Sequence, residues 1–371
     1  MNYTLKNIFC LGLKELQGLF RDYLLVGLIV YSFSLGIFTA YQAQPDSLTK
    51  AAIAIVDEDN SQLSKRIADA FFPPMFTMPD HISRPEIDSS MDRGDYTFVL
   101  VIPPNFQKDV IAGKTPELQL NVDATRMSQA FSGAGYIQMI AMKEISSFEH
   151  RSQSSSAPAQ LVTRNRFNPN LTQGWFTSVM QLVNNITMLA IILTGAALIR
   201  ERESGTLEHL LVLPVTPFEI IASKIWSMLA VVLAASALSL LFIINGALHI
   251  PISGSIMLFL CGVALHLFAV TSLGIFLGCI AKNMPQLGML LILVYLPMQM
   301  LSGGNTPQES MPVWVQRMML AAPTTHFVDF SQAILFRGAG FSVVWEPFLW
   351  LTVIGGVLFI YSLACFRKSV A

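Results

Sequence analysis

The sequence of 371 residues is poor in charge: Asp, Glu, Lys and Arg make up 13% of it against 53% hydrophobic residues. Soluble domains carry about 25% charge, so one water-soluble body is excluded. The charge present is also unevenly placed. Of 47 charged residues, 27 (12 Lys/Arg and 15 Asp/Glu) lie between Gln44 and Arg166, which leaves the rest of the chain mostly apolar. Positive charge is not in surplus either; a formal net charge of -1 supplies no field for a phosphate backbone and argues against a nucleic-acid partner. Cysteine is scarce: Cys10, Cys261, Cys279 and Cys365 fall outside the charged stretch and form no C-x-x-C pair or Cys/His cluster. Neither a disulfide framework nor a structural zinc site is expected. What the chain has in quantity, 25 Phe and long aliphatic runs, excludes disorder.

A helix needs about 20 apolar residues to cross a bilayer, and uncharged gaps reach that length repeatedly. Six spans are drawn: Leu24 to Tyr41, Trp175 to Ile199, Ile225 to Leu248, Ser255 to Ala281, Pro285 to Leu301, and Pro347 to Phe366. The fifth is short and carries two prolines. The expected fold class is a polytopic α-helical membrane protein with six transmembrane helices and an inserted extracytoplasmic α/β domain. Lys6, Lys14 and Arg21 precede the first span, Arg200, Arg202 and Lys224 join the second to the third, Lys282 follows the fourth, and Arg367 and Lys368 end the chain. Positive charge resists translocation, so these flanks and both termini are expected in the cytoplasm. The apolar run of the first span exceeds the 7 to 15 residues of a signal peptide and no A-x-A site follows it, so an uncleaved anchor is expected. Residues 1–22 carry an apolar face at helical spacing and read as an amphipathic interfacial helix on the cytoplasmic side. The first span then occupies 23–43, the outside domain 44–170, and five further spans 171–371.

Within the outside segment the pattern changes to short alternating elements. Ala51 to Val56 reads as a buried strand, Ser61 as the N-cap of a helix to Phe72, and Tyr96 to Ile102 as a second strand. Pro103-Pro104 opens a helix through Val110, Leu118 to Val122 is a third strand, and Met127 to His150 a long helix. The Ser152 to Ser156 run is a linker, and Asn165 to Asn170 leads back to the membrane. Asp57 and Asp59 stand in a loop that lacks the Gly and further acidic positions of an EF-hand, so they are read as solvated rather than as Ca²⁺ ligands. No hydrolase signature is present in this domain. Gly113-Lys114-Thr115 lacks the leading glycine of a phosphate-binding loop, Lys108 standing there instead.

Three features inside the spans are candidates for packing or passage. Gly274 and Gly278 form a small-xxx-small motif that allows close helix approach. His266 is the one ionisable residue well inside a span, and with Asn184 and Asn185 it is a candidate for a translocation path. The most informative segment is the loop from Arg200 to Lys224: a charged helical stretch, a glycine break, an amphipathic turn from Leu207 to Leu213 that Thr206 can cap, and a proline stop.

That loop resembles the coupling loop of the integral-membrane permease subunits of type-2 ATP-binding-cassette exporters. Glu201, Glu203, Gly205, Thr206, Leu207, Glu208, Leu210, Leu211, Pro214, Glu219 and Lys224 match its pattern E-x-E-x-G-T-x-E-x-L-L…P…E-I…K. Ser302-Gly303, Pro307, Met311-Pro312, Trp314-Val315, Pro323 and His326-Phe327, within 302–345, resemble the outer re-entrant segment of the same family. The six-span plan, the N-terminal helix and the outside domain also resemble its drug- and lipid-export branch. The resemblance implies a bacterial inner-membrane exporter in which two such permeases, identical or paired with a sister subunit, carry an amphipathic drug or lipid. Each would dock a separate ATPase subunit on the Glu201 to Leu213 region and the N-terminal helix. ATP and Mg would bind in that partner, so the chain itself is expected to be no enzyme and to hold no cofactor or metal. A periplasmic adaptor and membrane lipids are further implied partners. Leu301-Ser302-Gly303-Gly304 resembles the signature of such ATPases but has no ATPase core around it. The alternatives are an ion-coupled secondary transporter, for which the spans offer only His266 and neutral amides, and a membrane-anchored sensor using the outside domain.

Overall fold

Long apolar runs without charge can satisfy their backbone in lipid only as helices, and a computed structural model of the chain is built from them. It describes residues 2–43, 51–123, 127–152, 173–206, 214–304, 306 and 308–370. The chain divides into two units: Met1–Gln44 with Gln173–Ala371, and Pro45–Thr172. The first unit opens with α1 (Asn2–Arg21), α2 (Tyr23–Phe33) and α3 (Leu35–Gln42). Asp22 separates α1 from α2 and caps the latter, accepting from the Leu24 and Leu25 amides. The first expected span is broken at Ser34, whose backbone leaves the helical region (φ -125°, ψ -84°).

The unit Pro45–Thr172 is a mixed sheet with helices, built in the order β1 (Ile53–Asp57), α4 (Gln62–Asp69), β2 (Asp80–His81), α5 (Glu86–Asp92), β3 (Phe98–Ile102), α6 (Phe106–Ile111), β4 (Gln119–Val122) and α7 (Met127–Ser152). The strands run β2-β1-β3-β4 across the sheet. β1 is parallel to β2 and to β3 in the register Ile53↔Phe98, and β4 is antiparallel to β3. Side chains alternate along a strand, and both faces here are covered: Ile53, Ile55, Phe98 and Leu100 pack with Leu63, Ile67, Phe106 and Ile137, while Ala54, Val56, Val99 and Val101 pack with Ile87. A sheet buried on both faces needs near-continuous apolar strands, which is why β3 reads Phe-Val-Leu-Val-Ile. Ser61 caps α4 in a capping box with Ser64. Two elements escaped the sequence pattern, the two-residue β2 and the short α5. The linker residues 153–156 and 165–170 lie outside the described residues.

The first unit resumes with α8 (Gln173–Glu203), α9 (Pro217–Leu238) continued by a π-helical segment (Ser239–Ala247), α10 (Ile256–Ile280), α11 (Met284–Met300), α12 (Val313–Met319), α13 (Pro323–Leu335) and α14 (Phe341–Val370). Among the described residues five helices are long and apolar enough to cross a membrane: Tyr23–Gln42, Gly174–Glu203, Pro217–Ala247, Ile256–Ile280 and Phe341–Lys368. Where the fifth span was expected, Pro285 to Leu301, the structure has a shorter apolar helix. α11 has 17 residues with Pro297 inside it, and at about 1.5 Å per residue it reaches roughly 25 Å, short of a core of about 30 Å.

α8 is the centre of the bundle: 83% of its apolar window is buried, against 22% for the first and last spans. α10 lies close against it at small residues. A Cβ on Gly274 would stand 2.8 Å from the Ile191 carbonyl oxygen, and one on Gly278 would stand 3.2 Å from that of Gly195. The break at Ser34 is repaired from two directions. Asn185 Nδ2 donates to the Ser32 carbonyl at 2.5 Å and Ser239 Oγ to that of Phe33 at 2.6 Å. Freed carbonyls inside a bundle need such partners, and these come from α8 and the π-helical segment.

Candidate functional site

The site grows from the end of α8. Arg200, Glu201, Arg202 and Glu203 are consecutive, and consecutive helical side chains fan about 100° apart. Each therefore meets a different neighbour. Arg200 Nη1 lies 2.9 Å from Asp22 Oδ2, at the α1–α2 junction. Arg202 Nη1 donates to the Ala281 carbonyl at 2.7 Å, filling an orphan acceptor beyond the end of α10. Glu203 Oε1 accepts from the Met284 amide at 3.1 Å, a carboxylate at the positive end of α11. Glu201 turns inward.

There Glu201 meets Lys224, the last residue of the loop motif. Lys224 Nζ lies 2.7 Å from Glu201 Oε2 and 2.8 Å from Glu15 Oε1, with its side chain only 1% exposed. Lysine is almost never so buried unless paired. Lys224 donates a hydrogen bond to Glu15 as well as pairing with Glu201. Lys14 Nζ adds a longer contact of 3.5 Å to Glu201 Oε1 from the rim. Burial pushes the Glu15 carboxyl above its ordinary value; Lys224 pulls it back down and the Glu201 carboxylate pushes it up again.

The same face of α1 is docked along its length. Ile8, Gly12, Glu15 and Leu19 recur at helical spacing. The Trp226 indole N–H donates to the Ile8 carbonyl at 3.1 Å, and its ring stacks on Phe9 at 5.6 Å. Gly12 is required there, because a Cβ would stand 2.2 Å from Trp226 Cε2. Asn7 Nδ2 donates to Glu219 Oε1 at 3.5 Å, and Glu219 Oε2 closes a capping box with Thr216 at the start of α9. Leu13 and Phe20 remain exposed off that face of α1.

α1, the end of α8 and the start of α9 thus form one braced body around residues 200–224. Gly205, at φ +69°, ends α8 in the left-handed conformation, and Thr206 Oγ1 donates back to the Glu201 carbonyl at 3.2 Å. Pro214 is exposed. Leu207, Glu208, Leu210 and Leu211, with the turn to Leu213, lie outside the described residues. Sequence reasoning missed Glu15 and Lys14. The available signal was a carboxylate in register with Ile8, Gly12 and Leu19, on the face that docks.

The remaining candidates sit within the bundle. Asn185 caps the broken first span and accepts from Gln181 Nε2 at 3.0 Å; the Asn184 carbonyl accepts from the Tyr295 hydroxyl at 3.2 Å. His266 is fully buried, with Nε2 2.9 Å from Thr187 Oγ1 and its ring stacked on Phe327 at 3.9 Å. The segment 302–345 holds α12 and the short, almost wholly buried α13, whose Thr324 hydroxyl donates to the Met298 carbonyl at 3.1 Å. Pro307 lies outside the described residues. In the other unit Asp57 Oδ1 accepts from the Asp59 and Asn60 amides, Asp57 Oδ2 from the Ser64 hydroxyl, and Asp59 Oδ2 from the Gln107 amide. These carboxylates organise the loop, and among the described residues no cluster of three His, Cys, Asp or Glu side chains is placed to hold a metal.

Residues 23–364 match the family described as ABC-2 family transporter protein. The chain is 58% identical over 367 residues to the inner membrane transport permease YhhJ of Escherichia coli (strain K12), covering 99% of this chain and 98% of that one. Over 361 residues it is 30% identical to the "Probable multidrug ABC transporter permease YbhR" of the same organism, covering 96% and 97%. The similarity to that organism's "Probable multidrug ABC transporter permease YbhS" is 24% over 339 residues, covering 90% and 89%.

Proposed function

The chain belongs to the ABC-2 family of transporter proteins, and on that premise we propose that this multi-pass membrane permease is the translocating subunit of an ATP-driven exporter. Its energy comes from a separate ATPase subunit, which binds ATP and Mg and docks on residues 201–213 and the exposed side of α1. Two permeases, identical or sisters, enclose the path of an amphipathic drug or lipid. The end of the bundle that carries Arg200 and both termini face the cytoplasm of a bacterial inner membrane, and residues 44–170 lie outside, where they meet an adaptor or guard the exit.

The observation that carries this reading is the bracing of the loop from both flanks. A loop that only joined two spans would have no need of a fully buried lysine ion-paired to its other flank and to α1. A loop that receives force needs such a joint, because displacement at 201–213 is then passed to α8 and α9 as one body rather than absorbed locally. Here Glu201, Glu203, Glu219 and Lys224 hold the flanks of the docking region, and the ATPase docks on Glu208, Leu210 and Leu211. ATP binding in the partner biases the bundle between two states of the path.

The test is to express the chain with its ATPase and measure copurification, ATP hydrolysis and export together. Glu208→Arg and Gly205→Pro are expected to uncouple hydrolysis from export while membrane insertion is retained. Normal export by both variants would refute the coupling role, and export that persists with an inactive ATPase and follows a proton gradient would replace the exporter by a secondary transporter.

A further inference from the structure

A cavity of about 540 Å³ opens among the starts of α8 and α14 and the buried helix α13, lined in part by Phe176, Thr325, His326, Asp329, Glu346 and Trp350. That volume is within the roughly 300–1,000 Å³ of small-molecule sites. It is separate from the coupling region: Phe176 and Arg200 are 24 residues apart on α8, roughly 36 Å of helix.

The wall has one sign. Asp329 and Glu346 contribute carboxylates, and no Lys or Arg is among its described lining residues. Arg337 lies 3.7 Å from Asp329 and offsets one charge at most. Glu346 has no ion pair among the described residues. The wall also has an aromatic face. His326 donates from Nε2 to the Leu320 carbonyl at 2.9 Å, which fixes its ring, and the ring stacks on Trp350 at 6.1 Å with 14° between planes. Trp350 is 45% exposed, so much of the indole is left uncovered. Thr325, also on this wall, keeps its hydroxyl buried without a hydrogen-bond partner. A buried polar atom of this kind calls for a ligand or water to complete it.

Carboxylates beside an open indole select an organic cation, and rings on that cation add stacking against Trp350. We infer that this cavity binds a monovalent aromatic organic cation, held by Glu346 and Asp329 and stacked on Trp350. That such cations are the cargo rests on the exporter reading; the binding does not. An anion of the same shape is repelled by the two carboxylates.

The experiment is equilibrium binding of tetraphenylphosphonium to the purified full chain in a neutral detergent, with tetraphenylborate as the anion of matching shape. Saturable binding of the cation alone is expected. Glu346→Gln and Trp350→Ala should each weaken it about tenfold, the effect of one lost polar or stacking contact. Trp350→Phe should retain most of the affinity, and Asp329→Asn should cost less than Glu346→Gln because Arg337 already shares that charge. Glu346 is exposed, so its variant tests the site without disturbing the core. Equal binding of tetraphenylborate, or unchanged affinity in Glu346→Gln, overturns the inference. Displacement by choline phospholipid micelles at comparable concentration would reassign the site to a lipid head group and overturn it as well. Cation binding without ATP-driven transport would sink the exporter and leave the site; ATP-driven transport without cation binding would do the reverse.

Discussion

Replacing Lys224 by methionine removes the one cation that two buried carboxylates share. At an effective dielectric of about 20, each contact of 2.7–2.8 Å is worth about 6 kcal/mol of gross attraction, about 12 for the pair. Against this stand several kcal/mol of desolvation for each of three ions, and the repulsion between Glu15 and Glu201. The opposing sums are similar, so the intact joint adds little net stability; its value is in joining α1, α8 and α9. Breaking it is another matter. With side chains only 13% and 11% exposed, Glu15 and Glu201 would be left buried without their main counter-ion, and such losses cost about 3–5 kcal/mol. This is a hundred- to several-thousand-fold shift in the folding equilibrium. Unfolding of the purified chain in micelles titrated with a denaturing detergent measures the loss, and trypsin cleavage after Lys14 reports release of α1. Glu15→Gln alone should cost about 1 kcal/mol, and the double variant should recover part of the Lys224→Met loss, with a coupling of about 0.5–3 kcal/mol. A loss below about 1 kcal/mol for Lys224→Met, with both substitutions additive within about 0.5 kcal/mol, would refute the reasoning.

Because the Glu15 carboxyl is raised above 4.5 in the fold, its contribution to stability is complete below pH 4.5 and is lost as pH rises through the raised value. Unfolding midpoints measured upward from pH 4.5 should therefore fall less steeply in Glu15→Gln than in the parent. Gly274→Ala should lose about 1–3 kcal/mol by forcing α10 away from the Ile191 carbonyl, whereas Gly356→Ala, with nothing within 4 Å, should gain about 0.5–1 kcal/mol; thermal midpoints of the two variants check the contrast. His266→Gln should keep ATP-driven export, since the imidazole is packed on Phe327 and bonded to Thr187; loss of export in a stably folded variant would return His266 to the path.

Much of this architecture can be read along the chain. Uncharged gaps place the helices around 175–199 and 255–281 within a few residues of α8 and α10, because the bilayer imposes its length on any span. The density of charge rises at Gln44 and falls at Arg166, beside the limits of the unit Pro45–Thr172. Ser61 capped its helix as its position implied, and Thr216 with Glu219 did so where no cap had been singled out. Caps are settled within one turn, and local sequence suffices for them. The loop motif contains Glu201, Glu219 and Lys224 but does not say what they touch.

Contacts between distant segments were beyond that reach. Asn185 looked like a polar residue in search of a pathway, and Ser34 like an ordinary position in a span, until the fold placed the amide beside a broken helix whose carbonyls need donors. Glu15 is one carboxylate among several on α1; only the approach of α9 buries it against a lysine 209 residues away. Asp329, Glu346 and Trp350 belong to two helices and share a cavity only because α13 is drawn into the bundle. The sequence by itself determined where the long apolar helices lie, where the charged insert lies and which loop carries the family pattern, since hydropathy, charge and capping act over one helix or less. Tertiary structure alone decided which charges face each other, which helix breaks are repaired and where a cavity remains, because burial and pairing depend on surfaces that the chain brings together only when folded.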